Sequence, residues 1–197
     1  MTADSATREQ VIAALEAGFA RTTRPSAPFI QGSREGCEPG EAVAPFLDVA
    51  DWRGIPSPVL DGHHEALSFF SEGGLRFFLP AFLVADVREE LMTADPVFHL
   101  THGFHSTSVA LPDRVVTTGA AALLNPRRYG AITWEEAARF RLSVFTREEA
   151  AGIVVYLTWR RDHDTLGISA PAIDSALNRF WLERTRTAPA AASLGGW

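Results

Sequence analysis

The sequence predicts an all-α or mainly α fold, a single compact helical domain with long Pro/Gly-rich connections. Three observations predict it: several segments repeat apolar residues at helical spacing, two of them open with a capping box, and no stretch alternates apolar and polar residues over several strands. With 197 residues, 46% of them hydrophobic, the chain can bury one ordinary core. One helical domain over residues 1–186 and a flexible tail over 187–197 are therefore expected.

The elements follow in order. Between Ala6 and Thr22, Val11, Ile12, Leu15 and Phe19 recur at helical spacing and give an amphipathic helix that stops before Pro25. The segment up to Pro45 carries Pro25, Pro28, Gly32, Gly36, Pro39 and Gly40, a density that predicts a long loop or crossing segment pinned by Phe29 and Ile30. A brief helix is expected over Val59 to His64. Beyond Ser71, the ladder Leu79, Leu83, Val87 and Leu91, with Phe78 and Phe82 beside it, predicts a helix that Pro80 either begins or kinks.

Residues 94 to 131 are the least periodic. Val115, Val116 and Thr117 hint at an extended segment, and Ala120 to Leu124 at a short helix. Thr133 and Glu136 have capping-box spacing and start a helix through Leu142; Thr146 and Glu149 repeat the box, with Phe145 and Ala150 in staple positions, for a helix ending near Asp162. The last helix is expected from Pro171 to Arg184, with Ile173, Leu177, Phe180 and Trp181 turned inward. Trp52, Trp134 and Trp159 read as further core or rim anchors.

Charge excludes several function classes. The 18 basic residues, all arginine, stand against 24 acidic ones, a net charge of -6 with no basic stripe to neutralise phosphates, so no nucleic-acid partner is expected. Without lysine there is no Schiff-base chemistry and no lysine-bearing phosphate loop. Cys37 is alone, which excludes an internal disulfide and a cysteine-rich zinc site and fits a reducing cytoplasm. The opening MTADSATREQ does not read as a secretory signal. The longest apolar run, Phe77 to Ala85, is nine residues, far short of the ~20 of a spanning helix, so no membrane partner is expected either.

Chemistry could reside in histidines. His99, His102 and His105, spaced three apart, are the candidate metal ligands, although Gly103 weakens any rigid helix that would aim them together. The cluster Asp61, His63, His64 and Glu65 reads as a helix-terminal polar group, since neighbouring helix positions point about 100° apart. Asp162, His163 and Asp164 read as a helix end, and Gly167 to Pro171 as a helix start in place of a nucleophile elbow. The pairs Glu89–Glu90, Glu135–Glu136 and Glu148–Glu149 suggest glycosidase acids less than first-turn charges, and Arg127–Arg128 and Arg160–Arg161 are solvated pairs that could grip an acidic partner. No G-x-G-x-x-G spacing occurs, and no cofactor and no catalytic residue is assigned.

The opening helix with Ile12 and Gly18–Phe19, then Arg24–Pro25, Trp52, Phe69–Phe70, the centre Phe77-Phe78-Leu79-Pro80-Ala81-Phe82-Leu83, Phe145–Thr146, Tyr156–Leu157 and Phe180–Trp181 together form a pattern in order along most of the chain. In these features the chain resembles an uncharacterised bacterial domain-of-unknown-function family of small cytoplasmic proteins with a Leu-Pro-Ala-aromatic central motif. Phe77–Phe78 stand where tyrosines would be expected. The resemblance implies no activity and transfers no site residue.

The functional expectation is a cytoplasmic, non-enzymatic module that binds another protein, as an adaptor, regulator or toxin-neutralising partner, with its oligomeric state open. Two other readings remain: a metal-assisted hydrolase using His99, His102 and His105, and a small-molecule sensor with an aromatic pocket near Phe78 and Trp181.

Overall fold

Helix α1 (Arg8–Gly18) starts where Thr7 and Gln10 cap each other reciprocally, and its Val11, Leu15 and the following Phe19 are buried. The structure, a computed structural model, describes residues 6–110, 115–124 and 132–193. The segment after α1, expected as a loop, is partly helical: a 3-10 turn (Ala27–Phe29), α2 (Glu38–Val43) and a second 3-10 turn (Ala44–Phe46), each with a proline in its first turn, where the missing N–H costs nothing. Ile30, but not Phe29, pins this segment: Ile30 is fully buried while Phe29 is mostly exposed. The pinning is by backbone, with Gly32 N–H donating to the Phe69 carbonyl and Ser71 N–H to that of Ile30.

A 3-10 turn at Trp52–Gly54 leads to α3 (Ser57–Gly62), α4 (Ala66–Phe69) and the central α5 (Glu72–Val87). Ser71 caps α5 through the Gly74 N–H, so Pro80 neither begins the helix nor ends it but lies inside. Apart from Arg76 and Asp86, every side chain from Leu75 to Val87 is buried, as expected of a helix apolar all round. Gly74 has a steric reason: a Cβ there would lie 2.4 Å from the Ile30 carbonyl oxygen. Phe46, Phe70, Phe77, Phe78 and Phe82 form one aromatic cluster, with Phe78 5.3 Å from Phe46 and 5.0 Å from Phe70.

Helix α6 (Pro96–Thr101) was not signalled by periodicity, being too short to repeat. Strands β1 (Ser106–Ala110) and β2 (Val115–Gly119) pair antiparallel, Ser106 opposite Gly119, and form the one sheet among the described residues. No helix forms at Ala120 to Leu124; instead Leu123 bridges to Thr133 and the Leu124 N–H donates to the Ile132 carbonyl. The domain is thus mainly α.

Helices α7 (Trp134–Leu142) and α8 (Arg147–Asp162) both start at the expected capping boxes. α8 runs along α1, so closely at one point that a Cβ on Gly18 would lie 2.7 Å from the Glu148 carbonyl oxygen. Glu149 does more than close its box. Its buried carboxylate accepts from Thr146 N–H at 2.8 Å, from Arg76 Nε at 2.8 and 2.9 Å, and from the Thr22 hydroxyl, tying α5, α8 and the segment just past α1 together.

The final helix is continuous from α9 (Ala170–Ala176) through a π-helical stretch (Leu177–Trp181) into α10 (Leu182–Thr187), which packs on α8. Ser169 makes no side-chain cap; the Asp164 carboxylate accepts from the Ser169 and Ala170 N–H groups instead. The expected flexible tail is docked over its described part: Ala188 is buried, Pro189 accepts from Arg147 N–H, and Ala191 N–H donates to Glu148. The Pro189 carbonyl thereby satisfies the orphan Arg147 N–H at the start of α8, and the Glu148 carboxylate holds the Ala191 N–H, so both ends of the contact keep the chain down. Residues 194–197 and Arg127–Arg128 lie outside the described residues.

Candidate functional site

Asp95 caps α6 through the Phe98 N–H, and Pro96 occupies its first turn. Val97, Leu100 and Thr101 turn inward, which leaves Phe98 and His99 on the outer side with His102 one residue past the helix end. Gly103 follows at φ 95°, and a Cβ on it would lie 2.7 Å from the Trp134 carbonyl oxygen and 2.8 Å from Ala138 Cβ. The end of α6 is therefore clamped onto α7, along the face shared by Trp134, Ala138 and Arg141 at helical spacing.

This clamp separates the three histidines. His102 lies tilted against Phe98 at 4.6 Å between ring centres and meets the Trp134 ring edge-on at 4.8 Å, and Phe98 also meets His99 at 5.3 Å. His105 leaves in the other direction, its Nδ1 3.2 Å from the Ser175 hydroxyl on α9. Among the described residues, no group of three or more His, Cys, Asp or Glu side chains could hold a metal ion. The geometry thus gives the metal-hydrolase reading no ligand set at His99, His102 and His105.

Arg141 completes the surface. It donates to the Leu67 carbonyl of α4 and, among the described residues, has no carboxylate at ion-pair distance; Glu72 acts on it from farther away. Burial, helped by the positive Arg141 and by His102 and His64, lowers the His99 pKa to about 4. Burial and Arg141 lower that of His102 as well. Near neutral pH the two rings are accordingly uncharged, each offering one N–H donor and one acceptor.

A second polar constellation joins α5 to α8. The hydroxyl of fully buried Tyr156 donates to Asp86 at 2.6 Å, and Arg160 Nε stands 3.3 Å from the same carboxylate. Burial raises the Asp86 pKa against the pull of Tyr156 and Arg160, with Asp95 and Glu89 adding to the rise, and burial beside Asp86 pushes the Tyr156 hydroxyl well up. Its role is a polar cross-link between two packed helices. Asp86 continues the apolar row Phe78, Phe82 at four-residue spacing, and a carboxylate in such a row is the signal of a partner.

The other sequence candidates make bonds within the fold. Asp61 accepts from the Met92, Thr93 and Ala94 N–H groups and holds that turn, while His63 and His64 flank the end of α3. His163 Nδ1 bonds the Trp159 carbonyl at the end of α8. Phe78 and Trp181 are fully buried among other rings, with Trp181 Nε1 donating to the Leu100 carbonyl at 2.9 Å. One opening, beside Trp52, Leu60 and Arg88, holds about 30 Å³, room for a water. Another, about 260 Å³, lies between Gly18, Arg21, Glu148 and Ala191 and has no aromatic wall. No helix among the described residues is long and apolar enough to cross a membrane.

Comparison with protein-family models, curated proteins and solved structures gave no match. Sequence reasoning weighed the histidines but missed Arg141 and Phe98 and took Trp134 only as an anchor. The signal that could have found them is the seven-residue spacing of Trp134 and Arg141, which puts an aromatic and a cation on one helix face.

Proposed function

We propose that the chain is a non-enzymatic protein-binding module, an adaptor, regulator or toxin-neutralising partner, whose contact surface is the ring ladder Phe98–His102–Trp134. The observation that carries this reading is the ladder itself: Phe98 is 49% exposed, His102 is exposed, and both are held in place by the α6–α7 clamp. Pre-ordered aromatic groups at a surface are what recognition of a partner uses, because little side-chain freedom is lost on contact.

The test is a comparison of wild type with Phe98→Ser/His102→Ser, checked for equal helicity and melting temperature. Each is used as bait in a lysate of the producing organism, with a photo-crosslinker at position 98 in a second experiment. Specific partners that crosslink at position 98 and are lost by the variant support the reading. Capture that is identical for both baits, or a wild type that stays monomeric and captures nothing above background, overturns it.

A further inference from the structure

We propose that Arg141, with His99 and His102 alongside it, forms a binding site for a single oxyanion, a phosphate or a carboxylate group, on the face where α6 and α7 meet. This goes beyond the protein-contact reading and does not depend on it.

Among the described residues, the other partly buried arginines have settled partners. Arg76 is paired with Glu149, Arg160 with Asp86, and Arg139 and Arg179 with Glu135. Arg24 and Arg184 each donate to two backbone carbonyls. Arg141 is half-buried, donates to one carbonyl among the described residues, and has no carboxylate at ion-pair distance there. A partly desolvated guanidinium whose planar donor fork is mostly unclaimed matches the oxygens of a phosphate or carboxylate.

Its neighbours add donors. Trp134 and Arg141 lie two helical turns apart on one face of α7, His102 packs on the Trp134 ring, and His99 precedes His102 by three positions on the same side of α6. The groups facing the site from each packed element are His99 and His102 from α6, Arg141 from α7, His64 and its neighbour Glu65 ahead of α4, and Glu72 at the start of α5. Four nitrogen-bearing groups thus confront two carboxylates, in a chain whose net charge is -6.

Burial is the main cause of the depressed basicity of His99 and His102, and the positive Arg141, with no carboxylate at ion-pair distance among the described residues, adds to it. An oxyanion bound there supplies the counter-charge and favours the imidazolium forms. Binding and protonation are then linked, and affinity rises as pH falls.

The experiment follows the His99 and His102 imidazole signals by NMR while sodium phosphate, and separately sodium acetate, is added at constant ionic strength set with sodium chloride. Saturable shifts at both rings with at least one anion are expected, and the anion that saturates tells phosphate from carboxylate. The His99 midpoint should move up from about 4 when the anion is present, and affinity should strengthen from pH 7 to pH 5.5. Arg141→Gln should weaken binding about tenfold or more. Because Arg141 also ties α7 to α4, His102→Gln, at an exposed position, is the second variant, expected to weaken binding several-fold. Shifts that follow only chloride-like drift, binding unchanged in a folded Arg141→Gln, or binding unchanged in His102→Gln when Arg141→Gln does not fold each overturn the proposal.

Discussion

Glu149 shows how much one side chain can hold. Nearly every lone pair of its buried carboxylate is taken, by Arg76, Thr22 and its own N-cap. Removing it strands the Arg76 charge in the interior, so Glu149→Ala is expected to lower unfolding free energy by about 3–5 kcal/mol, read from urea denaturation. A similar loss in Arg76→Ala but not in the double variant would show that the two act as a pair. His99 makes a pH prediction. Its folded pKa, about 4, lies below the ordinary 6.5. The unfolded chain therefore takes up a proton first as pH falls, and this contribution to stability, complete above 6.5, is lost between 6.5 and 4. His99→Gln should flatten the urea midpoint across that window. Asp86 has the opposite sign: its raised pKa makes its contribution largest in acid, fading as pH climbs through the raised value, and Asp86→Asn should remove that slope.

At the scale of elements, α5 is governed by close approach. Gly74→Ala pushes a methyl group into the Ile30 carbonyl, so backbone must move; a loss of about 1–3 kcal/mol and a lower melting temperature are expected. A full-stability Gly74→Ala would mean that the Ile30 bridge yields freely. Glycine is a poor helix former, and Gly74 stands in the first turn of α5 because of its neighbour, which no reading of α5 alone could reveal. Helices α7 and α8 were legible because Thr133/Glu136 and Thr146/Glu149 are local signals, complete within four residues. α6 was not, since six residues are too few for periodicity, and of the strands only β2 was hinted at, by Val115, Val116 and Thr117, because the pairing itself is defined by hydrogen bonds between strands. The ladder Phe98–His102–Trp134 was illegible for the same reason: its third member arrives from a helix more than thirty positions later.

Across the whole molecule, rings carry the packing. Phe46, Phe70, Phe77, Phe78 and Phe82 occupy one side of α5, while Phe19, Phe145, Trp181, Phe180 and Phe104 form a second chain of contacts between α1, α8 and the last helix. Phe78→Ala, at the centre of the first group, is expected to cost about 3–5 kcal/mol by calorimetry or denaturant unfolding. The π-helical stretch Leu177–Trp181 sets the phase of the second group, for it is where sequence neighbours Phe180 and Trp181 are both buried. An inserted residue is the usual origin of such a widened turn. Since the wide turn takes up about one residue more than an α-helical turn, deleting Asn178 is expected to restore ordinary winding while α10 keeps its angular position, with Arg184 still on the Ser143 and Phe145 carbonyls. The widened turn thus carries one surplus residue without turning the closing helix off its seat on α8.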